Sequence, residues 1–221
     1  IIAVAEAAKD NLTATGVNER KIDVILNGVE GLSPASDTEL EKLRQRFGVN
    51  EGETVVSIVA RLEDIKGHEY FIDAACEVLN SGANARFFIA GTGSYEQVLK
   101  SKVNQSEYSD KIIFTGFLKD VDKLMAITDI QVNASYGTEA TSLALLEGMS
   151  IGIPAVVSDF GGNPGVIKSG VNGFVVKKCD SHAIAEKLLE LIGSKELYKK
   201  LSDGSKEVFK KTFTAEAMTK N

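Results

Sequence analysis

The chain has 221 residues, of which 43% are hydrophobic and 25% charged, enough apolar material for a sizeable core and too much for disorder. Its 31 acidic side chains outnumber 25 Lys and Arg for a net charge of −6, which argues against general nucleic-acid binding. A phosphate site on such a surface has to be built from a few local cations and backbone amides. The two cysteines, Cys76 and Cys179, lie far apart with no partner motif, as in a reduced, cytoplasmic setting. No apolar run reaches membrane-spanning length.

In chain order, the opening Ile1-Ile-Ala-Val lacks a methionine and leads into Ala5-Glu-Ala-Ala-Lys-Asp-Asn-Leu12, which reads as a helix entering this domain from elsewhere. The expectation is a fragment with a second domain upstream. Strands are expected at 21–26, 54–60, 86–90, 111–115, 129–132, 154–158 and 173–176, with helices between them and two Leu-, Lys- and Glu-rich helices at 181–192 and 195–211. Alternation of this kind is the pattern of βαβ units on a parallel sheet, and no repeat or Gly/Ser linker divides the chain. Residues 1–221 are therefore read as one α/β domain.

The most informative segment is Tyr136-Gly-Thr-Glu-Ala-Thr-Ser-Leu-Ala-Leu-Leu-Glu-Gly-Met149, between the strand Asp129-Ile-Gln-Val-Asn133 and the strand that begins at Pro154. A helix starting near Thr141 puts Glu139 in the loop at its N-terminus and Glu147 inside it, both facing the crevice above the strand ends. Open parallel sheets bind ligands in that crevice, and free N–H groups with a helix dipole suit it to phosphate. Spacing alone decides nothing: Glu69 and Glu77 are also eight apart, but they lie in a stretch with helical apolar periodicity and read as a solvated face.

Several fragments occur in one order: Asn27-Gly-Val-Glu30, Val59-Ala-Arg-Leu-Glu-Asp-Ile-Lys-Gly-His68, Ile89-Ala-Gly-Thr-Gly93, Phe114-Thr-Gly-Phe117 and the Glu139 to Glu147 segment. In that combination the chain resembles the C-terminal, donor-binding domain of the retaining glycosyltransferases of family 4. The resemblance implies a Rossmann-like parallel sheet flanked by helices, one half of a GT-B enzyme whose active site lies between two such domains. It implies that Arg61 and Lys66 hold the diphosphate of a sugar nucleotide. Both also follow a buried strand at its C-terminal end, where leaving-group charge must be neutralised. Glu147 matches the glutamate that accepts from the ribose hydroxyls, which suits an acceptor-only carboxylate. Glu139 matches the catalytic-site glutamate beside the donor sugar, and Phe117 and Leu118 the positions that pack and read the nucleobase, although Phe117 also suits a core position under the loop.

Between the glutamates the sequence departs from the commonest family form: Ala140-Thr-Ser142 replaces Gly-Phe-Gly, a variant associated with polysaccharide assembly. The amides of Thr141, Ser142 and Leu143 can still cradle phosphate. Gly91-Thr-Gly93 begins like a dinucleotide fingerprint, but Glu96 replaces its third glycine and a tight turn is expected instead. Asp120-Val-Asp122 has the form of a metal-binding Asp-x-Asp but precedes a helical run, so helix capping is expected. His68 and His182 are unpaired and read as structural or exposed. Asn11-Leu-Thr13, Asn104-Gln-Ser106 and Asn133-Ala-Ser135 fit the glycosylation sequon, a triplet that arises readily by chance.

The expected activity is transfer of a hexose with retention from a nucleoside-diphosphate sugar, with UDP as the nucleotide, to a glycan or lipid-linked acceptor. No metal or other cofactor is expected, since Arg61, Lys66 and the helix N-terminus supply the positive charge. The expected partners are the donor, the acceptor and the protein's own N-terminal domain, which is the route by which a cytoplasmic protein would attach to the inner face of a membrane. Two other readings stay open: a GT-B nucleotide-sugar epimerase, whose acid and base groups cannot be placed here, and a non-catalytic partner subunit that binds sugar nucleotide.

Overall fold

A computed structural model describes residues 1–219. Among the described residues, six parallel strands form the main sheet: β3 (Thr54–Val59), β4 (Ala85–Ala90), β5 (Ile112–Gly116), β6 (Ile130–Asn133), β7 (Ala155–Ser158) and β8 (Gly173–Val176), in the order β5-β4-β3-β6-β7-β8. This is the doubly wound arrangement, with its topological switch point between β3 and β6. The strands read as near-continuous apolar runs because both faces are covered.

On one face, α3 (His68–Asn80), α4 (Glu96–Asn104) and α8 (Ser181–Gly193) pack Phe71, Leu99 and Leu188 against Val56, Phe87, Ile89 and Val156. On the other, α2 (Asp37–Arg46) and α5 (Val121–Ile127) bring Leu43 and Leu124 against Val55 and Phe88. Beside them α6 (Leu143–Ile151) sets Leu145, Leu146 and Met149 against Ala155 and Val157. Alternate strand residues thus point into opposite layers, as a pleat requires.

The expected strand at 21–26 is shorter and lies elsewhere. Residues 19–21 form a 3₁₀ turn, and β2 (Asp23–Val24) pairs in parallel with β1 (Ile2–Ala3), with α1 (Glu6–Ala14) between them. This βαβ unit has its own two-stranded sheet, separate from the main one. The helix expected over 195–211 ends as α9 (Lys195–Val208) and continues as a π turn over Phe209–Phe213, whose two phenylalanines are buried under α6.

Glu69 and Glu77 lie on the outer side of α3, and Glu77 accepts His182 Nδ1 at 2.6 Å. Asp120 occupies the N-cap position of α5 but makes no capping hydrogen bond; its carboxylate takes the Lys123 ammonium at 2.7 Å instead. The flexible lysine one turn on offers a charged donor, which outcompetes a backbone amide for an exposed carboxylate.

Candidate active site

Strand β3 ends at Val59 and the chain turns through Arg61 and Lys66 into α3; β6 ends at Asn133 and turns through Glu139 into α6. Because the strand order reverses between β3 and β6, both turns open into one crevice at the carboxyl ends of the strands. Lys66 Nζ lies 3.0 Å from Glu139 Oε2 and 2.8 Å from the Thr138 carbonyl, with only 12% and 8% of the Lys66 and Glu139 side chains exposed. An ammonium has three donors, so two are spent here and one remains for a further acceptor. Glu139 Oε2 also accepts from Ser135 Oγ at 3.0 Å and Asn133 Nδ2 at 3.3 Å.

Helix α6 starts at Leu143, two residues later than expected, with Ser142 as its N-cap accepting the Leu145 amide at 3.4 Å. A serine hydroxyl competes well for that amide, which moves the first helical residue past Thr141. Thr141 Oγ1 donates to the Val4 carbonyl, tying this loop to the β1–α1 connection. The amides of Thr141, Ser142 and Leu143 have no acceptor among the described residues, leaving a helix N-terminus with free donors. Glu147 sits half-buried in the second turn of α6, with no side-chain partner among the described residues. Burial raises its carboxyl above the ordinary range, and Asp122 on α5 pushes it the same way.

Arg61 is exposed and makes no ion pair among the described residues, so with Lys66 balanced by Glu139 it is the uncompensated cation of this crevice. It lines a cavity of about 430 Å³ together with Ala60, Thr92, Phe117, Leu118 and Val121. Phe117 is 73% exposed on its rim, so it is not a core residue. Gly91, at φ 141°, lets the loop after β4 close on this turn: a Cβ there would stand 2.0 Å from the Ala60 carbonyl oxygen. Thr92 then accepts the Leu62 amide at 2.9 Å, fixing the segment that carries Arg61. A second, larger cavity, about 620 Å³, runs between β1–α1 and the Glu139 loop, with Gly137, Thr138, Glu139 and Gly161 on its wall.

The structure therefore brings Glu139 and Lys66 into contact, places Arg61 with Phe117 and Leu118, and sets Thr141, Ser142 and Leu143 at the intervening helix start. Glu147 lines neither cavity. Asn133, Ser135 and Thr138, which bond directly to Glu139 or Lys66, escaped the sequence reading. The available signal was a polar Asn-x-Ser at the end of a buried strand, and Asn133 is 94% buried, unlike a surface sequon. His68 is buried at 1% exposure with neither ring nitrogen bonded, a structural position.

The model of the group 1 glycosyl transferases matches residues 39–208, which run from within α2 to the end of α9. The chain belongs to the group 1 glycosyltransferases. Among curated members of similar sequence, the putative glycosyltransferase EpsD of Bacillus subtilis is 29% identical over 94% of this chain and 55% of its own length. An uncharacterized glycosyltransferase of Methanocaldococcus jannaschii is 30% identical over 96% of this chain and 55% of its length. The chain thus spans about half the length of the curated glycosyltransferases it matches. Its fold is the Rossmann-like half of a GT-B glycosyltransferase. The crystal structure of HepE of Anabaena with UDP and glucose superposes with a TM-score of 0.91 at 23% identity, covering 99% of this chain and 60% of HepE. The C-terminal domain of the group 1 glycosyltransferase LpcC of Francisella tularensis gives a TM-score of 0.74 at 25% identity, covering 83% of this chain and 96% of that domain. Among the described residues no helix is long and apolar enough to cross a membrane.

Proposed function

We propose that residues 1–221 form the donor-binding half of a retaining glycosyltransferase that moves a hexose from UDP to a glycan or lipid-linked acceptor, working with an N-terminal domain of the same protein. The observation that carries this reading is the Lys66–Glu139 pair at the switch point, beside the free amides of Thr141, Ser142 and Leu143. A diphosphate oxygen can take the third donor of Lys66 while others face the helix amides and Arg61. These donors meet the charge that develops on the leaving diphosphate, and being fixed before the reaction they need little reorganisation. Charge neutralisation by protein groups is the basis for proposing transfer without a metal or other cofactor.

Phe117 and Leu118, which line the 430 Å³ cavity, are assigned to packing the uracil ring, and Glu147 to the ribose hydroxyls. The raised carboxyl of Glu147 fits a group that gains two hydroxyl donors on binding. Glu139 is assigned to the donor sugar, where its negative charge would stabilise an oxocarbenium-like centre. The likeness to HepE, solved with UDP and glucose, supports a uridine nucleotide. The match to a C-terminal domain solved on its own supports the domain assignment, and attachment to the inner face of a membrane through the N-terminal domain belongs to the same proposal. The test is turnover of a panel of UDP-hexoses by the full-length protein, with anomeric configuration of the product read by NMR. Retention with a UDP-hexose supports the reading; inversion, or epimerised sugar nucleotide without transfer, overturns it.

A further inference from the structure

We propose that Asn163 is a positioning residue for Glu139, acting through Asn133; the proposal rests on the role of Glu139 given above. Asn163 opens the short helix α7 (Asn163–Val166) and is 1% exposed. Its Nδ2 donates to Asn133 Oδ1 at 3.3 Å and to Ser158 Oγ at 3.0 Å. Asn133 Oδ1 also accepts the Ser135 amide at 3.1 Å, and Asn133 Nδ2 donates to Glu139 Oε2 at 3.3 Å. Ser158 Oγ in turn donates to the Ser135 carbonyl, so of the three side chains that bond Glu139, Asn133 is held by the Asn163 amide and Ser135 is held at its backbone by Asn133 and Ser158, while Lys66 lies outside this network.

The orientation of the Asn133 and Asn163 amides follows from one fact: an ionised carboxylate only accepts. Asn133 must turn its NH₂ toward Glu139, which turns its carbonyl toward the Ser135 amide and Asn163. Asn163 must therefore present its own NH₂, and its Oδ1 is left buried with no partner. An unsatisfied buried acceptor is costly and asks for an explanation. If Asn163 only filled space, an apolar side chain of the same size would avoid that cost; the network uses the two N–H donors.

The same loop grips the main chain of Glu139. The Gly162 amide donates to the Glu139 carbonyl at 3.0 Å, and a Cβ on Gly162 would stand 1.6 Å from the Ala140 carbonyl oxygen. Residues 161–163 thus hold Glu139 at its backbone and, through Asn133, at one carboxylate oxygen. That leaves Glu139 little freedom to rotate when a donor binds and competes for Lys66.

The experiment uses the full-length protein and whichever UDP-hexose the wild type turns over, with UDP affinity measured by calorimetry alongside kcat and KM. Misplacing a reacting group costs on the order of 10- to 100-fold, so Asn163→Ala is expected to lower kcat by about that factor while KM and the Kd for UDP stay within about 3-fold. Asn163→Ser, which keeps one donor, should recover part of the loss. In a Glu139→Gln background, Asn163→Ala should lower kcat no further. Equal losses in kcat and UDP affinity, a serine variant no better than alanine, or full additivity with Glu139→Gln would each overturn the proposal. If Asn163→Ala fails to fold, the serine variant beside Glu139→Gln carries the same comparison. Should Glu139→Gln by itself leave kcat unchanged, the role of Glu139 has failed first, and that variant alone reveals it.

Discussion

Lys66 and Glu139, 73 residues apart in the chain, meet at 3.0 Å with only 12% and 8% of their side chains exposed. The pair unites the residue assigned to the diphosphate with the residue assigned to the sugar, and it makes their mutational effects interdependent. Removing one partner of a buried pair leaves the other charge stranded, a loss of about 3 kcal/mol or more. Lys66→Ala should therefore destabilise the fold more than the double change Lys66→Ala with Glu139→Ala. Lys66→Ala should also bind UDP worse than the double variant, because an unpaired Glu139 repels the diphosphate. Denaturant melts and UDP titrations of the three variants check this; additive effects would mean that the two side chains are not coupled.

The rim position of Phe117 gives a second expectation. Stacking of a base on an aromatic ring contributes roughly 1 to 3 kcal/mol, so Phe117→Ala should weaken uridine and UDP by the same factor, about tenfold. Calorimetry with both ligands reads it. A loss confined to UDP would take Phe117 away from the base and toward the phosphates.

Glu147 lowers the stability of the free protein at neutral pH because burial and Asp122 raise its carboxyl. With the folded pKa above the unfolded one, its contribution is fully present below the unfolded value near 4.3 and is lost as pH rises through the folded value. Glu147→Gln should thus raise the melting temperature at pH 7 more than at pH 4. Glu147→Ala should weaken nucleotide binding by about 1 to 3 kcal/mol as the ribose hydroxyls lose a charged acceptor. Thermal melts at the two pH values and a UDP titration separate the two effects; equal melting shifts at both pH values would contradict the buried setting.

His68 titrates in the opposite direction. Burial pushes its imidazole down to about 4, and the charge of Lys66 adds to this. The folded pKa lies below the unfolded value near 6.5, so stability is present above 6.5 and is lost as pH falls toward 4. His68→Leu should flatten that loss, so its stability relative to the wild type should rise as pH falls from 7 to 4. Unfolding curves between pH 4 and 7 show it; an unchanged slope would mean that His68 is already protonated in the fold.

Much of this architecture was legible in the sequence because parallel strands buried on both faces leave long apolar runs with small-residue punctuation. Val55, Val56, Phe87, Phe88, Val156 and Val157 announce their strands directly. The strand expected at 21–26 is only Asp23–Val24, and its place beside Ile2–Ala3 in a second sheet was not legible, because local pattern does not assign sheet partners. At the site, Arg61, Lys66 and Glu139 could be placed from strand ends and motif order. The Lys66–Glu139 contact could not, since nothing in either segment states that the two loops face each other. Asn133, Ser135 and Asn163 were missed for a related reason: their bonds are made across three different turns, and no spacing within one segment encodes them.

The central claim is that protein donors at the switch point hold a nucleoside diphosphate by its phosphates. Calorimetric titration of UDP and of uridine into the wild type and Arg61→Ala, all with a chelator present, tests it most directly. The wild type should bind UDP at least about tenfold more tightly than uridine, and Arg61→Ala should remove most of that difference while leaving uridine affinity unchanged. Equal affinities for UDP and uridine in the wild type, or UDP binding that appears only when magnesium is restored, would contradict it.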